Sequence, residues 1–462
     1  MSDGELGDKL RIYFRDLAPD ARLMLATGLA KAGGALPHAD IILGALKGAM
    51  RDNGEIVPLE DMASVVFLPC QAFTAASDKG GKIPGVIFQG SLERVWRWLE
   101  TDGAPSAVNR FRKGVDADPL GRATPEAIEA LRTACAKAIL EAARVAAEEP
   151  HGLRKLSAQL GHDRAAEDLQ DIGAALRYEK ALNALAQELA GDLKLALEEA
   201  IAAVKQRLTT FMKKARPAMP LAANLLKSKL GAPGAVVRFL IALAGISKVE
   251  LLLDSPYGAM IELVISDAEG AITQAQEAKA AADTASLVSA IKAFGATLRA
   301  INSELEFDSR SPLAKRIIGF RKTMSETLAG RMTDLAQRVK QLVRPRADSK
   351  GLMPLLSPTE VDRLDGDIAV LMAARNYADD LALKADTLRV YNEIKDLLDT
   401  GMPLLIDRLR ALPMDGRHEM RERLDAIARI SKRLFGEEYA GLLLKAVQVA
   451  DAPAPARKAA TA

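Results

Sequence analysis

Cysteine, histidine and aromatic residues are scarce in this chain, and each scarcity excludes something. Cys70 and Cys135 are the only two thiols in 462 residues, so no disulfide framework and no paired-cysteine zinc motif can be built. Two free thiols in a chain this long fit a reducing cytoplasm. The four histidines, His38, His151, His162 and His418, include no pair four residues apart, which argues against a metal or acid–base centre built on histidine. Lys and Arg total 63 against 61 Asp and Glu. With the charges so nearly cancelled, no global field draws the chain to nucleic acid. Long apolar runs are missing too. The most apolar stretch, 235–253, is interrupted by Arg238, Lys248 and Glu250; its uncharged core is too short to span a bilayer and reads as a buried helix. Residues 1–9 are polar and acidic, unlike a signal peptide.

What is present is Ala, Leu and charge, arranged with helical period. Apolar residues make up 49% of the chain but aromatics only 4%, and the Ala and Leu that dominate are the strongest helix formers. From Tyr178 through Leu182, Leu185, Leu189, Leu193, Leu197, Ile201, Val204, Leu208 and Phe211, apolar residues recur every three or four positions. That spacing predicts one long helix over 172–215, roughly 60 Å at 1.5 Å per residue, along which other helices must pack. The expected fold is all-α: several helical bundles organised around this central rod.

Punctuation divides the chain. A mostly helical N-terminal domain is expected over 1–103 and a linker, without periodicity, over 104–123. A central bundle follows over 124–345, a hinge over 346–357, a C-terminal helical module over 358–450 and a disordered tail over 451–462. Helix starts are marked by Thr124-Pro125-Glu126, Ser311-Pro312 and Ser357-Pro358-Thr359-Glu360, each combining a capping hydroxyl with Pro at the first helical position. Ser91 is expected to cap a helix on which Leu92, Val95, Trp96 and Leu99 share a face, while Trp98 lies to another side near Arg94.

Phe67-Leu68-Pro69, Ile83-Pro84-Gly85, Ser91-Leu92 and Trp96-Arg97-Trp98-Leu99 together resemble a proteobacterial protein family of no known activity. That family carries a Ser-Leu-x-x-x-Trp-x-Trp helix, and the double Trp is the distinctive part of the match. Val86 and Gln89 stand where the family has more basic residues. The resemblance implies a bacterial origin and supplies no chemistry.

Motifs for catalysis are incomplete. His418 and Glu419 begin a zinc-protease helix pattern, but Glu422 occupies the position of the second histidine. Gly80-Gly81-Lys82 suggests a phosphate loop, yet Ala76 and Ile83 stand where Gly and Ser or Thr are required. The acids Glu360, Asp362, Asp365 and Asp367 do not follow calcium-loop spacing. No Gly-x-Ser-x-Gly occurs, and both thiols sit in apolar surroundings. The sequence therefore points away from an enzyme and calls for no cofactor.

One charge feature rises above background. Residues 310–346 hold ten cations and two acids, a net charge of +8. Arg316, Arg321, Lys322, Arg331, Arg338 and Lys340, with Arg94 and Trp98 elsewhere, form the candidate interaction surface; the competing and favoured reading of 310–346 is a solvated face neutralised by acids such as Glu304, Glu306 and Asp308 or by the C-terminal module. The expected role is a cytoplasmic scaffold or adaptor binding protein partners, with self-association through Ala-rich coiled surfaces as a further mode. The alternative is docking on an anionic membrane surface through 310–346. Aromatic interleaving is almost absent there, which argues against nucleic acid.

Overall fold

Helix accounts for 84% of the structure, against about one third in an ordinary globular protein. The computed structural model describes residues 3–32, 36–53, 62–76, 81–118, 123–344 and 357–452. The chain divides into two units. Unit 1 holds Met1–Gly231 with Ala242–Ala244 and Leu253–Leu263; unit 2 holds Ala232–Ile241, Gly245–Leu252 and Val264–Ala462. The division falls within the region expected to be one central bundle.

Unit 1 begins with α1 (Asp3–Arg15), α2 (Pro19–Ala32) and α3 (Ala39–Asp52), which close over Phe14, Ala26, Leu46, Ala49 and Met50. Buried Arg22 donates to the carbonyls of Phe14, Arg15 and Leu17, supplying donors that the end of α1 lacks. The chain continues through α4 (Met62–Val66), a tight turn at Leu68–Phe73 and strand β1 (Thr74–Ala75). β1 pairs in parallel with β2 (Ile87–Phe88), a two-residue strand just before Ser91. Next come α5 (Gln89–Trp98), α6 (Pro105–Ala117), α7 (Pro125–Glu148), α8 (Gly152–Leu160) and α9 (Asp163–Arg177). Thr124 caps α7 as expected, its hydroxyl accepting from Ala127 N at 3.2 Å.

The single 60 Å rod does not form. Its residues are divided among α9, α10 (Glu179–Asp192) and α11 (Leu197–Ala215). The stripe keeps its phase inside each piece: Leu182, Leu185, Leu189, Val204, Leu208 and Phe211 are all buried. At Leu193–Ala196 the chain turns, and Leu197, expected on the stripe, is 65% exposed. Folding back lets the stripes of α10 and α11 face each other instead of needing a partner along a long rod. Arg207 reaches Glu188 at 3.5 Å and Asp192 at 3.4 Å, contacts a continuous helix could not make. The hub of unit 1 is α9, packed against α5, α7 and α8 with Ala165, Leu169, Ile172, Ala174 and Ala175 buried.

The expected linker over 104–123 is also corrected. Its first part is α6, whose Val108, Phe111 and Val115 are buried. These three fall three and four apart, and their stripe was hidden among the Gly, Pro and Asp that surround it. Unit 1 ends its main run with α12 (Met219–Leu230).

Helices α13 (Pro233–Ala244), α14 (Val249–Leu253) and α15 (Gly258–Ala280) carry the chain between units. Unit 2 continues with α16 (Thr284–Glu304), separated from α15 by a turn at Ala282, with φ of 55°. The basic segment is α17 (Pro312–Thr333) and α18 (Leu335–Val343), with a break at Asp334. Ser311 caps α17, accepting from Ala314 N. The C-terminal module is α19 (Pro358–Asn376), α20 (Lys384–Ala411), α21 (His418–Phe435) and α22 (Glu437–Asp451). Helix α20 runs through Pro403 without ending. Two close approaches fix this core. A Cβ at Gly295 on α16 would overlap the ring of Tyr377, and one at Gly401 on α20 would overlap Val343 of α18. Most of the expected hinge and almost all of the expected tail lie outside the described residues. None of the described helices is long and apolar enough to cross a membrane.

Candidate functional site

The basic segment is the natural starting point, and most of its cations have internal partners. Arg316 donates to Glu269 from Nε at 3.2 Å and Nη2 at 3.0 Å. Arg321 Nε donates to the carbonyl of Asp380 at 2.9 Å. Arg331 and Arg338 converge on Asp367, at 3.0 and 2.6 Å. Asp367 is nearly inaccessible, so its charge is balanced by two guanidinium groups within the fold. Lys322 is exposed and meets only Glu326 of its own helix, at 4.0 Å; Lys340 is exposed, with no ion pair among the described residues. In unit 1, Arg94 donates to Gly161 O at 3.2 Å. Trp98 is 8% exposed, with its ring against Gly103, and so does not belong to a surface at all. Within unit 2, Arg316, Arg321, Arg331 and Arg338 are held by internal partners, and Lys322 and Lys340 are its exposed candidates.

Among the described residues a further polar cluster lies around α9. Asp168 and Asp171 are one turn apart on the face that also carries Ala165, Leu169 and Ile172, and both are buried. Lys82 Nζ sits between them at 2.6 Å from each carboxylate and donates to Val86 O at 2.8 Å. Asp168 also accepts from Phe88 N at 2.8 Å and from Ser91 Oγ at 2.7 Å. Asp171 accepts from Gly85 N at 2.9 Å. Arg164 lies alongside, its Nε 3.3 Å from Asp168 Oδ1 as a charge contact without hydrogen-bond alignment. Gly85 has φ of +77°, and a Cβ there would overlap the carbonyl of Pro220; its own carbonyl accepts from Asn224 Nδ2 at 2.8 Å. Glycine therefore meets both requirements at once, a left-handed backbone and a close approach.

Ser, Lys and Asp together resemble catalytic parts, but their geometry is that of a fastener. Ser91 is fully buried and directs its proton at a carboxylate that already accepts from Lys82 and a backbone N–H. A nucleophile needs access to a substrate and a base with a free lone pair. Here both carboxylates hold the 82–91 loop against α9. The segments carrying Ile83-Pro84-Gly85, Ser91-Leu92 and the double Trp are thereby brought together, with Ser91 an acid-bound anchor and not the expected cap.

The end of α9, with α4, α7 and α10, leaves an open groove on unit 1, of about 1270 Å³. Its apolar lining includes Val65, Leu68, Ile128, Ala136, Leu176 and Tyr178. Leu68, on the turn after α4, is 61% exposed. Arg132 crosses the groove, donating to Val65 O through Nε at 3.2 Å and Nη2 at 2.5 Å and pairing with Glu179 at 3.0 Å. Lys180 pairs with Glu129 at 2.6 Å; this hydrogen bond holds the Glu129 carboxyl below its ordinary range. Cys70 is buried, and desolvation pushes its thiol up, out of the thiolate range. Burial likewise pushes Cys135 up to about 12.

Neither feature was named from sequence, though one left a trace. Asp168 and Asp171 occupy core positions of a helical stripe, and an acid there requires a partner. Lys82, read as part of a flexible turn, is that partner. The groove has no local signature, because its walls come from α4, α7 and the α9–α10 junction. Among the described residues no cluster of three or more His, Cys, Asp and Glu is placed to hold a metal ion. Comparison with family models, with curated proteins and with solved structures finds no match to this chain.

Proposed function

We propose that this chain is a non-enzymatic helical adaptor that holds a protein partner on unit 1. The observation that carries the reading is the groove itself: a large open trough in which apolar side chains such as Val65, Leu68, Ile128 and Leu176 alternate with charged ones. A large groove that joins apolar side chains to a few convergent charged ones is the default candidate for a binding site. Docking on an anionic membrane through 310–346 has less support, because Arg316, Arg321, Arg331 and Arg338 are engaged within unit 2. The test is purification of the full chain with its associated proteins, followed by reconstitution from purified components. A stoichiometric complex is the expected result. Failure to form one with any recovered protein would overturn the adaptor reading.

A further inference from the structure

Charge on the groove's rim narrows what it can hold. Arg132 and Lys180 are matched by Glu179 and Glu129. Lys137 and Arg177, also on the lining, are exposed and form no close ion pair among the described residues; Lys137 lies one turn from Glu141, whose carboxyl Arg144 chiefly and Lys137 in part hold low, and Arg177 lies over the Tyr178 ring. The lining carries four cations, Arg132, Lys137, Arg177 and Lys180, against two acids, Glu129 and Glu179. The rim therefore has two cations in excess around an apolar floor. At about 1270 Å³ the groove exceeds the roughly 300–1,000 Å³ typical of small-ligand pockets. Its lining comes from helices and the turn at Leu68, with no strand edge to extend. An entering helix could set an apolar stripe between the ridges of α7 and α10 and place flanking acids beside the two cations.

We infer that the groove receives an acidic amphipathic helix of a partner protein, an inference that rests on the adaptor reading. Leu68 and Ile128 meet the apolar stripe, and Lys137 and Arg177 meet its acidic flanks. Charge complementarity of this kind sets orientation and rejects basic competitors.

The test is selection of helical peptides of about 20 residues, roughly 30 Å of helix, from a displayed library against the full chain. Recovered peptides should carry apolar residues at i, i+3, i+4 and i+7 with Asp or Glu beside them. Their binding should weaken with salt and fall about tenfold or more on the double change Lys137→Glu, Arg177→Glu. Leu68→Glu should remove it. All three side chains are exposed, so unchanged circular dichroism confirms that the variants fold. Recovery of no peptide, recovery of basic peptides, or equal binding to the variants would overturn the inference. So would self-association of the chain that Leu68→Glu abolishes, which assigns the groove to a second copy. A reconstituted partner that binds wild type and the Lys137→Glu, Arg177→Glu variant equally would leave the adaptor reading standing and remove this inference alone.

Discussion

Asp168 shows how a single residue can organise a unit. Buried without partners, a carboxylate would cost several kcal/mol. With Lys82, Ser91 and the N–H of Phe88 around it, it ties a loop to the hub helix. Asp168→Ala leaves Lys82 with the Asp171 carboxylate alone, removes the nearer carboxylate from Arg164 and takes the acceptor from Ser91 Oγ and Phe88 N. It should destabilise unit 1 by about 3 kcal/mol, whereas Ser91→Ala should cost about 1 kcal/mol; urea unfolding of each variant measures both. The same reasoning separates the cations of the basic segment. Asp367→Ala removes the shared partner of Arg331 and Arg338 and should cost unit 2 about 3–5 kcal/mol. Lys322→Glu alters only an exposed contact and should stay within about 1 kcal/mol. Equal shifts for the two would show that Asp367 is not the internal partner of the segment. The thiols give a chemical check. Burial raises both, so at pH 8 each is protonated as well as inaccessible, and a thiol reagent should label native protein only at the rate of unfolding.

At the scale of elements, the sequence disclosed starts and stripes better than stops. Thr124 and Ser311 mark helix starts because a hydroxyl and a Pro act locally. The stripe from Leu182 to Phe211 was legible for the same reason, since period depends only on spacing. Where it turns was not legible: Leu193, Leu195 and Leu197 continue the apolar pattern through the turn, and it is the packing of α10 on α11 that selects it. Asp334 likewise breaks the basic helix without Gly or Pro. Ala196 offers a direct test, with φ of −59° and ψ of 151°. That φ suits proline, which fixes the angle near −65°. Ala196→Pro should shift the thermal midpoint little, and an interior position of one continuous helix would instead lose about 3 kcal/mol or more.

For the whole molecule, the division of labour is between a fold held by ionic fasteners and a surface left open. Around Asp168 and Asp367, burial places positive and negative groups in internal contact, so near-neutral composition reflects pairing inside each unit as well as on its surface. The site could not be read from sequence because its floor joins residues as distant as Val65, Ile128 and Leu176. Amide hydrogen exchange of the full chain with and without a selected acidic peptide tests the central claim most directly, because it reports where binding occurs. The account predicts added protection over 62–68, 125–137 and 176–183, with none over 312–343. Protection confined to 312–343 would contradict it and return the interaction to the basic segment.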